Sequence, residues 1–157
     1  NGMPCVVMKA QDVGITGHED RDTLAKDHDL KARVEAIRLA VGERMNLGNV
    51  KDKSVPKMML VAPPRNGGAV TVRSFIPHRA HASIGVLGAV SVATACLIAR
   101  SPAAEVASIP PGSRKTLSVE HPTGETTCVM ELDENGAVVS AAMLRTARKI
   151  MDGEVFA

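Results

Sequence analysis

Aromatic side chains are almost missing from this chain: it has two Phe, no Trp and no Tyr in 157 residues. A core must therefore be assembled from Val, Ala, Leu, Ile and Met, and a surface that binds nucleic acid by stacking bases has nothing to stack them on. Charge of one sign is also lacking. The 19 Lys and Arg nearly balance the 17 Asp and Glu, for a net charge of +2, and no basic run stands out. That excludes nucleic acid as the expected partner. Cysteine is scarce: Cys5, Cys96 and Cys128 lie far apart with no CxxC pair. They form neither a disulfide framework nor a zinc pattern, and the apolar surroundings of Cys96 and Cys128 suit small buried thiols in a reducing, cytoplasmic compartment. The opening NGMPCVVMKAQD lacks the basic and long apolar regions of a signal peptide. It also lacks an initiator Met and reads at once as the approach to a strand, so the chain is expected to be a piece of a longer protein.

What is present is an alternation of strand and helix signals of single-domain length. Residues 4–10 read as a buried strand, followed by a loop punctuated by Gly14 and Gly17. Leu30, Val34, Ile37 and Val41 recur at helical spacing and predict an amphipathic helix over 27–45. Asp29 is the expected cap and Gly48 lies just past the end, while Lys31, Arg33, Glu35 and Arg38 read as its solvated faces. KMMLVA and 69–76 read as strands. From 117 the pattern is strand, Pro-Thr-Gly turn, strand, Asn135-Gly136 turn, strand, with a final extended or mixed segment. The expected fold class is α+β, with a mostly antiparallel sheet.

Residues 82–99 are eighteen positions without a charge, just long enough for a membrane-span candidate. Their Ala, Gly and Ser content, without a Leu-rich centre or an aromatic belt, suits instead a helix that strands approach on every side. A buried core helix, not a membrane span, is the expectation. Arg73, His78, Arg79 and His81 precede it, and Ser83, Ile84 and Gly85 form its expected first turn. A helix start carries unpaired N–H groups and partial positive charge, which suits a carboxylate or phosphate. The plain alternative is that Ser83 caps the helix and both His are surface residues; the pattern leaves the two readings level.

Other clusters carry less. Arg65-Asn66-Gly67-Gly68 reads as a hairpin turn before it reads as a binding loop. His18-Glu19-Asp20 and Asp27-His28-Asp29 could ligate a metal, but no further matched ligand accompanies them, so loop and helix-cap roles are expected and no metal site is. No nucleotide-binding glycine motif and no nucleophile–base arrangement is present.

Blocks of the chain resemble a known family. NGMPCVVMKAQDVGITGHED, LKARVEAIRLAVGERMNLG, KMMLVAPPRNGG, HRAHASIGVLGAVSVATAC, HPTGE and RTARKIMDGEVF, in that order, are similar to the C-terminal half of PrpF proteins. That family includes 4-oxalomesaconate tautomerase and the aconitate and methylaconitate isomerases. The resemblance implies a diaminopimelate epimerase-like lobe spanning 1–157, a curved sheet wrapped around a central buried helix. It implies cofactor-independent proton transfer between carbons of an unsaturated di- or tricarboxylate. It further implies that the acid/base Lys and Cys belong to the absent N-terminal lobe, so no catalytic residue is expected here. The substrate-binding set expected here is Asn1, Ser83, Ile84 and Gly85, with His78, Arg79 and His81 added on charge and position. Ser83 stands where the epimerase has a catalytic Cys. Expected partners are the small carboxylate, the missing lobe and a second copy in a homodimer. The rival expectation is a stand-alone carboxylate-binding or structural module.

Overall fold

A computed structural model describes residues 1–154 and 156. Six strands form one sheet in sequential order: β1 (Cys5–Lys9), β2 (Lys57–Ala62), β3 (Val70–Phe75), β4 (Arg114–His121), β5 (Gly124–Leu132) and β6 (Val138–Met143). β2–β3, β4–β5 and β5–β6 are antiparallel, whereas β1–β2 and β3–β4 are parallel. The expected mostly antiparallel, α+β sheet is present, with a two-residue parallel seam, Val70–Val119 and Thr71–Glu120, at its centre.

Alternation along the strands feeds two cores. Met59, Val61, Val70, Val72, Leu117, Val119 and Cys128 face one way, against helix α3 (Val86–Cys96). Met58, Leu60, Ala62 and Phe75 face the other, against helix α2 (His28–Arg44). β2 and β3 are covered on both faces, which is why they read as unbroken apolar runs instead of an alternating pattern. Helix α3 touches both edge strands, β1 and β6, as well as β4 and β5, so the sheet curls around it. Among the described residues no helix is long and apolar enough to cross a membrane.

Several local expectations need correction. Helix α2 is capped by Asp27, whose side chain accepts from the Leu30 amide at 2.8 Å, and not by Asp29. A six-residue helix, α1 (Arg21–Lys26), precedes it in what reads as loop; Asp20 caps it through the Thr23 amide at 2.7 Å and Leu24 is buried beneath it. Arg38 is not on a solvated face. It is fully buried, paired to Glu35 at 2.7 and 2.8 Å, and its Nη1 donates to the carbonyls of Val50, Lys53 and Val55. It pins the 50–55 connection under the helix. The core helix is eleven residues long, because 82–84 is held in a loop and the chain turns away after Leu97, with Arg100 at φ 64. The C-terminal segment from 145 to 154 has no regular secondary structure.

Two glycines mark tight spots. Gly17, at φ +84, brings its loop against the sheet; a Cβ there would lie 2.5 Å from that of Ala62. Gly68 abuts the Glu120 side chain, 2.7 Å from where its Cβ would be.

Candidate functional site

Helix α3 begins without a side-chain cap. Its N-cap is Gly85 (φ −75, ψ 158), not Ser83, and no side chain among the described residues bonds the amides of the first turn. Nothing lies within 4 Å of where a Gly85 side chain would be. The start of the helix is therefore an open backbone surface with unpaired donors.

Three contacts hold that surface in place. His81 Nδ1 lies 2.9 Å from the Ser83 carbonyl oxygen and 3.3 Å from the Ser83 amide nitrogen, so the imidazole braces the backbone of Ser83. Ser74 Oγ, on β3, donates to the same oxygen at 3.4 Å. From the β4–β5 turn, Thr123 Oγ1 donates to the Ala82 carbonyl at 2.9 Å. The turn thereby draws its own histidine up to the helix start. His121 Nδ1 lies 3.3 Å from Thr123 Oγ1, and its Nε2 lies 3.3 Å from Thr126 Oγ1. The two hydroxyls thus bracket the ring, one at each nitrogen. Burial pushes the His121 pKa below the ordinary histidine value; a hydrogen bond with the Glu125 backbone opposes that, and nearby Arg73 and His81 reinforce it. The ring is held neutral near pH 7.

Two depressions flank Gly85. One, of about 240 Å³, is bounded by Met3, Lys57, Met59, Ser74, Ile76 and Ile84. The other, of about 460 Å³, lies between Ser83 and Gly85 on one side and His121, Thr126, Arg145 and Thr146 on the other. Ser83, Ile84, Gly85 and His81 thus come together at the helix start. Asn1 does not join them: its side chain donates to Thr94 Oγ1 at 2.9 Å, nine residues along α3 and roughly 13 Å down the axis. His78 and Arg79 are exposed on the turn after β3, and His78 leans toward α2, with Nδ1 3.7 Å from Glu35. Arg73 is buried, its Nε donating to the Glu19 carbonyl at 2.6 Å.

The remaining sequence candidates have structural duties. The amides of Arg65, Asn66 and Gly68 donate to Glu120 at 2.7 to 2.9 Å, so this loop has spent its donors internally. Glu19 accepts from the Thr16 and Gly17 amides and ties its own loop. No group of three potential metal ligands occurs among the described residues. Burial raises the pKa of all three thiols, to about 12 at Cys96 and about 11 at Cys128. His121, Thr123 and Thr126 are residues that the sequence reading passes over. The signal for them was a histidine beside a Pro-Thr-Gly turn, which spacing alone does not connect to a helix some forty residues earlier.

The model of the family described as PrpF protein matches residues 1–157, the whole chain. The chain belongs to the PrpF family. It is 78% identical over 156 residues to a (4E)-oxalomesaconate Delta-isomerase of a Novosphingobium species, and 57% identical over 155 residues to a 4-oxalomesaconate tautomerase of Pseudomonas putida. Each match covers 99% of this chain but only 44% and 43% of those proteins, so the chain spans less than half of their length. A crystal structure of methylitaconate-delta-isomerase shares the fold, with a TM-score of 0.82 at 23% identity over 96% of this chain and 43% of that one.

Proposed function

We propose that this chain is the C-terminal lobe of an isomerase that moves a proton between carbons of an unsaturated di- or tricarboxylate of the oxalomesaconate or aconitate type. In this reading it grips a substrate carboxylate, and a preceding lobe supplies the acid and base. The observation that carries it is the uncapped start of α3, bare at Gly85 and held by His81, Ser74 and Thr123, in a chain whose relatives carry isomerase and tautomerase names.

The chemistry follows from those donors. Removing a proton next to a carboxylate or carbonyl places negative charge on oxygen. Fixed amides at a helix start stabilise that charge without reorganising, by the same means as an oxyanion hole. Ser83, Ile84 and Gly85 border the place where it develops, His81 fixes their path, and neutral His121 offers a polar edge without competing charge. Asn1, His78 and Arg79 lie away from both depressions and have no part in this scheme. None of the three thiols is suited to act as a thiolate base, and the proton acceptor is assigned to the other lobe. The reaction needs no cofactor. Three unpaired thiols are in keeping with a cytoplasmic setting.

Val86 and Leu87, at 51% and 43% exposure beside the site, are apolar surface that favours a covering lobe over a stand-alone binding module. A homodimer through the same face is the competing occupant. The test is a fusion of the N-terminal part of the Novosphingobium relative to this chain. Isomerisation of (4E)-oxalomesaconate, followed by NMR in D2O, should give deuterium at the new carbon position. A folded fusion that leaves both oxalomesaconate and aconitate unexchanged would refute the reading.

A further inference from the structure

Four successive backbone amides run from Arg65 to Gly68, and three of them are committed. Those of Arg65, Asn66 and Gly68 donate to the Glu120 carboxylate at 2.9, 2.7 and 2.9 Å. The Gly67 amide has no acceptor among the described residues. Gly67 stands at φ +83 with nothing within 4 Å of where a side chain would be, and both it and Asn66 are exposed. The Asn66 carboxamide has no hydrogen-bond partner among the described residues either. A free side-chain amide thus precedes a free backbone N–H on an open glycine.

That pairing has a chemistry of its own. The glycine nitrogen can reach the asparagine Cγ because no Cβ on the following residue blocks its approach. The nitrogen gives up its proton to solvent base, a bond forms to Cγ, ammonia leaves, and the ring closes as a succinimide. Water then opens one carbonyl or the other, giving aspartate or isoaspartate. The sum is carboxamide plus water to carboxylate plus ammonium, with no oxidant or reductant. The chain has three Asn-Gly pairs, and the fold treats them differently. In the β5–β6 turn the Gly136 amide donates to the Asp133 carbonyl at 3.0 Å, while the Asn135 and Ala137 amides donate to Asp133 Oδ1. The nucleophile there is engaged in the turn. The carboxamide of Asn1 is held by Thr94 Oγ1. Of the three pairs, Asn66-Gly67 is the one with both reacting groups uncommitted.

We infer that Asn66 is a modification site, converted by spontaneous deamidation to aspartate and isoaspartate in the folded chain. The product acts on Glu120. An isoaspartyl link adds one main-chain atom between the Asn66 and Gly68 amides, which both meet Glu120 Oε1. It also sets a second carboxylate beside the first, and like charges repel. Both changes loosen the loop's grip on Glu120.

The test incubates the folded 157-residue chain in warm, mildly alkaline buffer. Peptide mass mapping reads the replacement of amide by hydroxyl, and enzymatic methylation counts isoaspartate. Asn66 should convert at least about fivefold faster than Asn135, which must first give up a turn hydrogen bond. In urea the two should convert at equal rates, because each precedes a glycine. The isoaspartyl-66 fraction should unfold at lower urea than fresh protein. Asn66→Gln, whose longer side chain closes its ring far more slowly, should keep its urea midpoint throughout. Conversion of Asn66 no faster than Asn135 in the folded chain overturns the site. Equal midpoints for the isoaspartyl-66 fraction and fresh protein overturn the effect on Glu120 and leave the site standing.

Discussion

Thr71 and Glu120, neighbours across the parallel seam of β3 and β4, share a hydrogen bond of 2.7 Å in which the buried hydroxyl donates to the buried carboxylate. With the amides of Arg65, Asn66 and Gly68, Glu120 accepts four bonds. Burial alone would raise its pKa, but those donors outweigh burial and bring it from 4.5 down to about 2. The ionised form therefore stabilises the fold fully above pH 4.5, and the contribution disappears as the pH falls through about 2. Two and a half pKa units correspond to roughly 3 kcal/mol. Glu120→Gln should cost about 2–4 kcal/mol in urea unfolding at pH 7, and the gap to the parent should narrow below pH 4. A gap that is constant between pH 7 and pH 3 would contradict the assignment.

Arg38 is the largest fully buried side chain, and it joins α2 to the 50–55 connection through one carboxylate and several carbonyls. Arg38→Ala removes the arginine partner of Glu35 and the Nη1 donor of the Val50 and Val55 carbonyls, leaving Val50 only the Lys53 amide at 3.0 Å. A loss of about 3–5 kcal/mol is expected from chemical denaturation. Arg38→Lys should recover only part of it, since one ammonium cannot replace the planar fork.

Gly17 permits a contact that no other residue does. Gly17→Ala would place a methyl 2.5 Å from Ala62 Cβ and 2.9 Å from Ala10 Cβ, at φ +84. Both the clash and the backbone term oppose it, so a loss of about 2 kcal/mol or more is expected in thermal unfolding. Gly136, also at positive φ but with open space around it, should tolerate the same change at smaller cost.

The thiols should be slow to alkylate. With pKa values near 12 and 11, Cys96 and Cys128 hold on the order of one thiolate in a thousand molecules or fewer at pH 8. Iodoacetamide in native buffer, followed by peptide mass mapping, should label half-buried Cys5 first and leave the other two unmodified until the chain is unfolded. Rapid labelling of Cys96 would show that the core opens.

Much of this architecture is legible in the residues. Apolar runs marked β2 and β3, the Asn135-Gly136 turn marked the β5–β6 hairpin, and the charge-free small-residue stretch marked α3 as core. What stays hidden is whatever depends on distant partners. Arg38 looks like any solvated helix charge until the 50–55 carbonyls close over it. The 65–68 amides look free until Glu120, more than fifty residues later, accepts from them. The six residues of α1 are too few to show a period. At the helix start, Ser83 to Gly85 could be picked out from their order in the chain. The part played by His121 could not, because only the folded turn brings Thr123 to Ala82.

Gly88, Ala89, Ala93 and Ala95 line the buried side of α3. With so little side chain between them, strands and helix fit like a shaft in a sleeve, and a Cβ at Gly88 would already press on Met59 at 3.0 Å. The aim of the amides at one end is thus calibrated along the whole length of the shaft. Ala93 is fully buried and lies well away from either depression, so a methyl added there must displace helix or strand, and the donors at Val86 to Gly88 ride on the same helix. Residues that never meet a ligand therefore bear on how accurately one is held, through the same close packing that makes enlarging them cost about 1–3 kcal/mol of stability.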